Sequence, residues 1–433
     1  MQLAPRRGTR GRKQVATSLV AATAALLGTP AGASVAGEAD KTWKVDTSLL
    51  YYGERRRVTD LSANLRVQHW FRRGLLTLRL AVDALTGASA SGAVPAISPQ
   101  TFTTPSGNGS YAIAPRTTPL DPTFLDTRTA LSANWQQALG SQGEIDLGLS
   151  GSKEYDYLHA GLNARYSRGL NQRNTTLALG VALASDAIDP VGGAPLPLAA
   201  MLPPGEQGNK RGDDSKEVVD LLCGVTQVLG RRTVGELSYA LSRSTGYLSD
   251  PYKVLTVVDP ASGDPVAGPG LPFLYRYDAR PDRRTKHSLF AQIKHRLGRP
   301  IADVSYRYMT DDWGVDSHTL EFHWRQPIGA SGYIQPHLRY YRQSAADFYA
   351  PYLLDGAPLP EHASADYRLG RLDGATLGIK LGRVHGTDRE WSVRIEYYRQ
   401  TERAPPAARF GSLAGLELFP TVDAAISQFE YRF

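Results

Sequence analysis

Apolar and polar residues alternate at every second position along most of the chain, in segments of about ten residues. Leu61, Ala63, Leu65 and Val67 alternate with Ser62, Asn64, Arg66 and Gln68. Leu76, Leu78, Leu80 and Val82 alternate with Thr77, Arg79, Ala81 and Asp83, and Ile145, Leu147 and Leu149 with Asp146, Gly148 and Ser150. The same holds for Leu158, Ala160, Leu162 and Ala164 against His159, Gly161, Asn163 and Arg165, and for Trp391, Val393, Ile395 and Tyr397 against Ser392, Arg394, Glu396 and Tyr398. A period of two is that of a β-strand with one apolar face. About ten residues is also the length a tilted strand needs to cross a bilayer. A soluble sandwich alternates too, so the period alone leaves both architectures open.

The connections separate them. Sixteen strands are predicted, near 42–52, 58–69, 75–84, 126–138, 143–154, 157–167, 174–184, 216–228, 231–244, 285–296, 301–311, 316–326, 332–343, 373–384, 389–399 and 423–433. Every connection after an even-numbered strand is short, and every long one (85–125, 185–215, 245–284, 344–372 and 400–422) follows an odd-numbered strand. That parity is the mark of an antiparallel up-and-down transmembrane barrel, all-β, with short periplasmic turns and long extracellular loops. The chain ends on Phe429, Tyr431 and Phe433, one face of a last strand, which resembles the terminal signal that the barrel-insertion machinery reads in bacterial outer-membrane proteins. Trp43, Trp70, Trp135, Trp324 and Trp391 fall at the ends assigned to the periplasm, and Tyr51, Tyr157, Tyr308, Tyr340 and Tyr397 towards the other end. Two aromatic girdles against outer-membrane lipid are therefore expected, although Trp70 is out of phase with its strand.

Composition alters this picture only at the amino terminus. Arg6, Arg7, Arg10, Arg12 and Lys13 precede a small-residue apolar stretch from Val15 to Leu27 and then Ala31-Gly32-Ala33. Residues 1–33 are thus expected to be a cleaved secretory signal, with a cut after Ala36 as the alternative, leaving 34–433 as the barrel. Of the formal net charge of +7, five charges lie in that segment and +2 in the rest, so the high isoelectric point gives no support to nucleic-acid binding. Cys223 is the single cysteine, which excludes an intramolecular disulfide and a thiolate zinc site. After the signal, no apolar run reaches the ~18 residues of a membrane helix.

Inside such a barrel, the polar face carries the chemistry. Arg66, Arg79, Asp83, Arg128, Asp146, Glu154, Arg165, Asp220, Lys294, Arg307, Glu321, His323, Arg325, His337, Arg339, Arg394 and Glu396 are predicted to face the lumen. They read either as pairs that brace and solvate the lumen, since a charge facing lipid costs roughly 2–4 kcal/mol at the midplane, or as an arginine-rich selectivity constriction. His318 and His323 are an odd number apart and point to opposite faces, whereas His323 and His337 can share the lumen side of neighbouring strands beside Glu321. That trio carries a weak hydrolase or metal alternative; the main expectation is a protein that is not an enzyme, with no catalytic, metal or cofactor residue assigned. A c-type heme motif is absent from the sequence. Asp250, Asp311, Asp312 and Asp316 could offer oxygen ligands to calcium but lack EF-hand spacing, so loop packing is the expected role.

Several ordered motifs are similar to one family. They are V-D-A-L-T-G-A-S-A-S-G at 82–92, S-K-E-Y-D-Y at 152–157, R-N-T-T-L at 173–177, G-Y-L-S-D-P-Y-K at 246–253, R-P-D-R-R-T-K-H at 280–287, D-D-W-G-V-D-S-H at 311–318 and R-Y-Y-R-Q-S-A-A-D-F-Y at 339–349. Together they resemble the bacterial outer-membrane barrel family catalogued as domain of unknown function 3570. The resemblance marks Gly246, Tyr247, Asp250, Pro251, Tyr252, Lys253, Asp311, Asp312 and Trp313 as family-motif loop residues, some with rings placed to fold over the barrel mouth. It also implies an envelope setting shared with a small lipoprotein and periplasmic redox proteins, including a flavin transferase. The leading expectation is a pore or transport component in the outer membrane. The alternatives are a closed structural or assembly barrel presenting extracellular loops and, weakly, an outer-membrane hydrolase.

Overall fold

The computed structural model describes residues 43–72, 74–103, 110–206, 208–386, 388–403 and 409–433; the predicted signal peptide lies outside the described residues. Sixteen antiparallel strands close into one barrel: β1 (Trp43–Glu54), β2 (Thr59–Phe71), β3 (Gly74–Ala90), β4 (Leu120–Leu139), β5 (Gly143–Lys153), β6 (Tyr157–Leu170), β7 (Thr175–Ile188), β8 (Asp214–Gly230), β9 (Thr233–Gly246), β10 (Arg283–Arg296), β11 (Ile301–Asp311), β12 (Asp316–Ile328), β13 (Gly332–Gln343), β14 (Leu372–His385), β15 (Arg389–Glu402) and β16 (Val422–Arg432). Each strand pairs with its sequence neighbour, and β16 closes on β1, with Leu49 opposite Phe429 and Thr47 opposite Tyr431. Closure leaves no unpaired edge, as backbone in a bilayer requires. No described helix is long and apolar enough to cross a membrane.

All sixteen predicted strands are present. The largest departures in length are at β3 and β4, which run about six residues past the predicted ends. There the alternation fades into Ala84 to Ala90, and pairing continues through a bulge between Gly87 and Ser89, opposite Leu120 to Phe124. Backbone hydrogen bonds rather than an apolar face hold this extension, so periodicity could not show it.

The alternation sorts the two faces as expected. Leu49, Leu61, Leu131, Leu149, Leu179, Leu377 and Ile395 point outward and are exposed on the barrel surface, a continuous apolar belt far larger than a soluble monomer carries. Trp43 and Trp135 lie exposed at the short-turn end, with Trp43 packed 4.2 Å from the His69 ring. Trp70 follows outward-facing His69, so alternation turns it away from this girdle. Tyr51, Tyr340 and Tyr397 are exposed at the other end. Tyr157 is a correction to the predicted girdle: it is buried, because its odd position puts it on the lumen face, opposite in phase to Leu158 and Leu162.

The described residues of the five long connections, 91–119, 189–213, 247–282, 344–371 and 403–421, pack on one another as a cap. Val254–Val258 forms the middle of a three-stranded sheet between Tyr275–Tyr277 and Leu353–Leu354, and Gln100–Thr103 pairs with Ser110–Ile113. One apolar cluster joins Ala93 and Phe102 to Met201, Val254 and Tyr275. A second joins Leu198 to Leu255, Val257, Leu353 and Ala363, and a third joins Val94 to Val258, Tyr352 and Leu413. Sixteen tilted strands about 4.8 Å apart enclose a barrel roughly 30 Å across. The loops after β3 and β9 arise six strands apart, nearly a full diameter, so their contacts must cross the mouth.

Candidate functional site

Below the cap, a cavity of about 790 Å³ is lined by Arg66, Arg79, Arg128, Arg325, Lys380 and Arg432, together with Asp46, Glu154, Glu390 and Glu430. Most of these charges are paired across strands. Asp46 bridges Arg66 (2.8 Å) and Arg432 (2.7 Å), Asp83 takes Arg128 at 2.6 Å, and Glu430 takes Lys380 at 2.5 Å. Glu390 lies 3.3 Å from Arg432 and 3.9 Å from Arg325, whose guanidinium stacks 3.6 Å over the Tyr333 ring. Arg79 differs. It stands directly opposite Arg66 in the β2–β3 register, and no described carboxylate forms an ion pair with it. Two arginines side by side repel, and an anion in the cavity would relieve that repulsion. Paired charges thus share this wall with an arginine that no described carboxylate pairs.

A second cluster sits on β12–β15 beside an adjoining cavity of about 370 Å³. His323 and His337 are cross-strand partners, and their rings stack with centroids 4.2 Å apart and planes within 3°. Glu321 Oε1 lies 2.9 Å from His337 Nε2 and 4.0 Å from His323 Nε2, while His337 Nδ1 is 2.8 Å from Glu396 Oε1. Between His337 and Glu396 the register places Gly378. A Cβ there would meet Glu396 Cγ at 2.5 Å, so only glycine leaves the path open. Among the described residues, Glu321, His323 and His337 form the one group of His and carboxylate ligands spaced for a metal ion. The predicted sharing of a face by His323 and His337 is observed, as is the opposite placement of His318, which packs outside on Tyr306 and Tyr308.

The remaining predicted lumen residues serve local pairing. Arg165 lies opposite Asp146, Arg339 opposite Glu321, and Arg307 sits over the Phe290 ring at 5.4 Å. Arg394 bonds Gln428 at 2.5 Å and lies 3.4 Å from Glu396. One buried cluster escaped the sequence reading. Asp186 takes His159 Nδ1 at 2.6 Å and Lys216 Nζ at 2.9 Å, and it accepts from Tyr157. His159 Nε2 in turn lies 3.3 Å from Ser150 Oγ. Its signal was available: Tyr157, His159 and Asp186 all carry lumen parity.

The family-motif loop residues build the cap and its hinges to the barrel. Gly246 ends β9 at φ +108°, and a Cβ would meet the Ser215 carbonyl at 2.3 Å, so the position requires glycine. Tyr247 packs with Tyr157, Ile188 and Ala194. Within Asp250-Pro251-Tyr252-Lys253, Asp250 pairs with Arg368 at 2.9 Å, Tyr252 donates to Asp156, and the buried Lys253 ammonium donates to the Ala90 carbonyl. Burial pushes the Lys253 ammonium below its ordinary range. Asp366 accepts from both Arg280 (3.0 Å) and Arg368 (2.6 Å), and Arg280 also holds Asp278 at 2.7 Å. Burial by itself would raise the Asp366 carboxyl, but the two guanidiniums outweigh it and hold it well below the usual carboxylate range. Asp311 binds Arg284 at 2.5 Å and caps the backbone N–H groups of Trp313 and Val315, with Trp313 under Arg284. Asp312 accepts from the Thr285 N–H and Asp316 from Tyr308. These carboxylates are engaged separately, each with its own partners. Asp366 and Arg368 pair with each other but carried no motif signal, because their further partners, Arg280 and Asp250, come from another loop.

No curated protein matches this chain by sequence. Among solved structures it is similar to CdiB from Acinetobacter baumannii (8% identity, 91% of this chain, 60% of that one, TM-score 0.46). It is also similar to the CymD monoaromatic hydrocarbon channel (8% identity, 91% and 89%, TM-score 0.40) and to the siderophore receptor PirA from Pseudomonas aeruginosa (7% identity, 83% and 56%, TM-score 0.39). The chain spans just over half the length of that receptor. The family model described as "protein of unknown function (DUF3570)" matches residues 16–433, nearly the whole chain, and the closed sixteen-stranded barrel is the fold expected of it; the protein belongs to that family.

Proposed function

We propose that the protein works in the bacterial outer membrane as the barrel of a transport pore, held shut on the extracellular side by its own loops, with a chamber for anions beneath. The observation that carries this is the arginine-lined lumen cavity, in which no described carboxylate forms an ion pair with Arg79, on the turn side of loops that meet across the mouth. Short turns would face the periplasm and the cap the outside, as in outer-membrane barrels generally. A small lipoprotein or periplasmic redox protein, the partners the family resemblance implies, would have to reach the chamber from the turn side, since the cap occupies the other. A second reading, a permanently closed structural barrel, is favoured by the cap's packed apolar clusters.

Single-channel recording in a planar bilayer separates the two. The wild-type barrel should give rare openings, and a variant with residues 255–276 replaced by a short Gly-Ser bridge should conduct steadily with anion preference. In that background, Arg66→Glu with Arg79→Glu should shift the reversal potential towards cations. A folded, cap-deleted barrel that stays silent would refute the pore and leave the closed barrel.

A further inference from the structure

We propose that Glu321, His323 and His337 form a binding site for one zinc-like divalent transition metal ion on the lumen wall. Two imidazoles and one carboxylate are the donor set that suits such ions, whereas calcium and magnesium select oxygen ligands alone. The three donors come from adjacent strands: the Glu-x-His spacing on β12 puts Glu321 and His323 on one face, and the register sets His337 beside His323. Around a tetrahedral ion with bonds of about 2.0–2.1 Å, donor atoms are roughly 3.3 Å apart. Here Glu321 Oε1 is 2.9 and 4.0 Å from the two Nε2 atoms, and all three donors lie within 4.8 Å of one another. In the empty site the two rings are stacked and parallel, so His323, which is partly exposed, turns out of the stack to bring both Nε2 lone pairs onto one ion.

The surroundings complete it. A metal-bound histidine characteristically gives its other ring nitrogen to a carboxylate, which fixes the tautomer and raises the basicity of the ligand. Glu396 does this for His337 at 2.8 Å, across the gap that Gly378 leaves. That bond sets Nδ1 as the donor and frees Nε2 for the ion, which takes the place of the proton shared with Glu321. Arg339 opposite Glu321 and Arg394 beside Glu396 balance the two carboxylates when the site is empty. Three protein donors leave a coordination position towards the 370 Å³ cavity, open to water or an anion from the lumen.

The test uses the refolded full-length barrel without a histidine tag, titrated with Co²⁺ in detergent and followed by its visible absorption, with Zn²⁺ as competitor. This readout does not depend on conductance and so stands apart from the pore proposal. We expect one Co²⁺ per barrel, displaced by Zn²⁺. His323→Gln should abolish the spectrum, and Glu396→Gln should weaken binding about 10–100-fold, while His318→Ala on the outer face leaves it unchanged. His323 stacks on His337 and approaches Glu321 at 4.0 Å, contacts a glutamine can largely replace, so His323→Gln should keep the fold, verified by heat-modifiable mobility in detergent gels. No cobalt spectrum in the wild type, or one that persists in folded His323→Gln, would overturn the site.

Discussion

Replacing Asp366 by Asn tests whether a buried ionic network holds the cap closed. Asp366 is 1% exposed and stands between Arg280 and Arg368, accepting also from the Arg368 backbone N–H. Removing one partner of a buried ion pair costs about 3–5 kcal/mol, because the other charge stays buried without compensation. Both arginines keep one carboxylate in the variant, Asp278 for Arg280 and Asp250 for Arg368. The expected cost is therefore at the low end, about 3 kcal/mol, or a rise of roughly 100-fold in the open-cap population at 1.4 kcal/mol per decade. Hydrogen exchange with mass spectrometry measures this directly. Peptides covering 254–277 and 353–365, whose amides include Val257 bonded to Leu274 and Ala363 bonded to Ala279, should exchange about 100-fold faster. Strands β1 to β3 should not change. The same carboxyl sets a pH dependence: its pKa is lowered in the closed cap, so proton uptake favours opening. Its contribution is whole above about pH 4 and fades as the pH falls below that. Acceleration of less than about threefold, or equal acceleration in β1 to β3, would refute the network as the element that holds the cap.

Three further predictions follow from the same geometry. Burial and the neighbouring Asp126 push the Glu154 carboxyl up to about 8, so ionising it opposes folding; the Tm advantage of Glu154→Gln over wild type should widen from about pH 5 to pH 8 and level off above, and a flat difference would contradict this. Asp186→Asn leaves the buried Lys216 without its counter-ion and should destabilise the barrel by about 3–5 kcal/mol, read as a lower midpoint in urea; an unchanged midpoint would remove Asp186 from that role. Gly378→Ala should displace Glu396 from His337 and cost about 1.5–3 kcal/mol, the worth of a charged hydrogen bond, although alanine suits a strand better than glycine; a stability gain would show that the bond contributes little.

The barrel itself was legible in one dimension because each transmembrane strand has to present an apolar face to lipid and a polar one to the lumen. That requirement is local. It writes a period of two, segments near ten residues, and a parity of short and long connections, all visible without knowing which strand touches which. It also brought His323 and His337 to one face and sent His318 to the other. What alternation leaves open is distance. That Glu396 reaches His337 depends on a glycine two strands from β12, and that Arg79 lacks the carboxylate Arg66 has depends on strand register. The cap lay further still from local pattern. Lys253 and Arg280 lie near opposite ends of one loop and Asp366 in another, and their attraction matters only once apolar clusters have drawn those loops together and excluded water. The sequence by itself determined the strands and their faces, since burial in lipid acts residue by residue. Tertiary structure alone decided the chamber, the reach of Glu396 to His337 and the closed mouth, since each depends on groups that meet only after the barrel has closed.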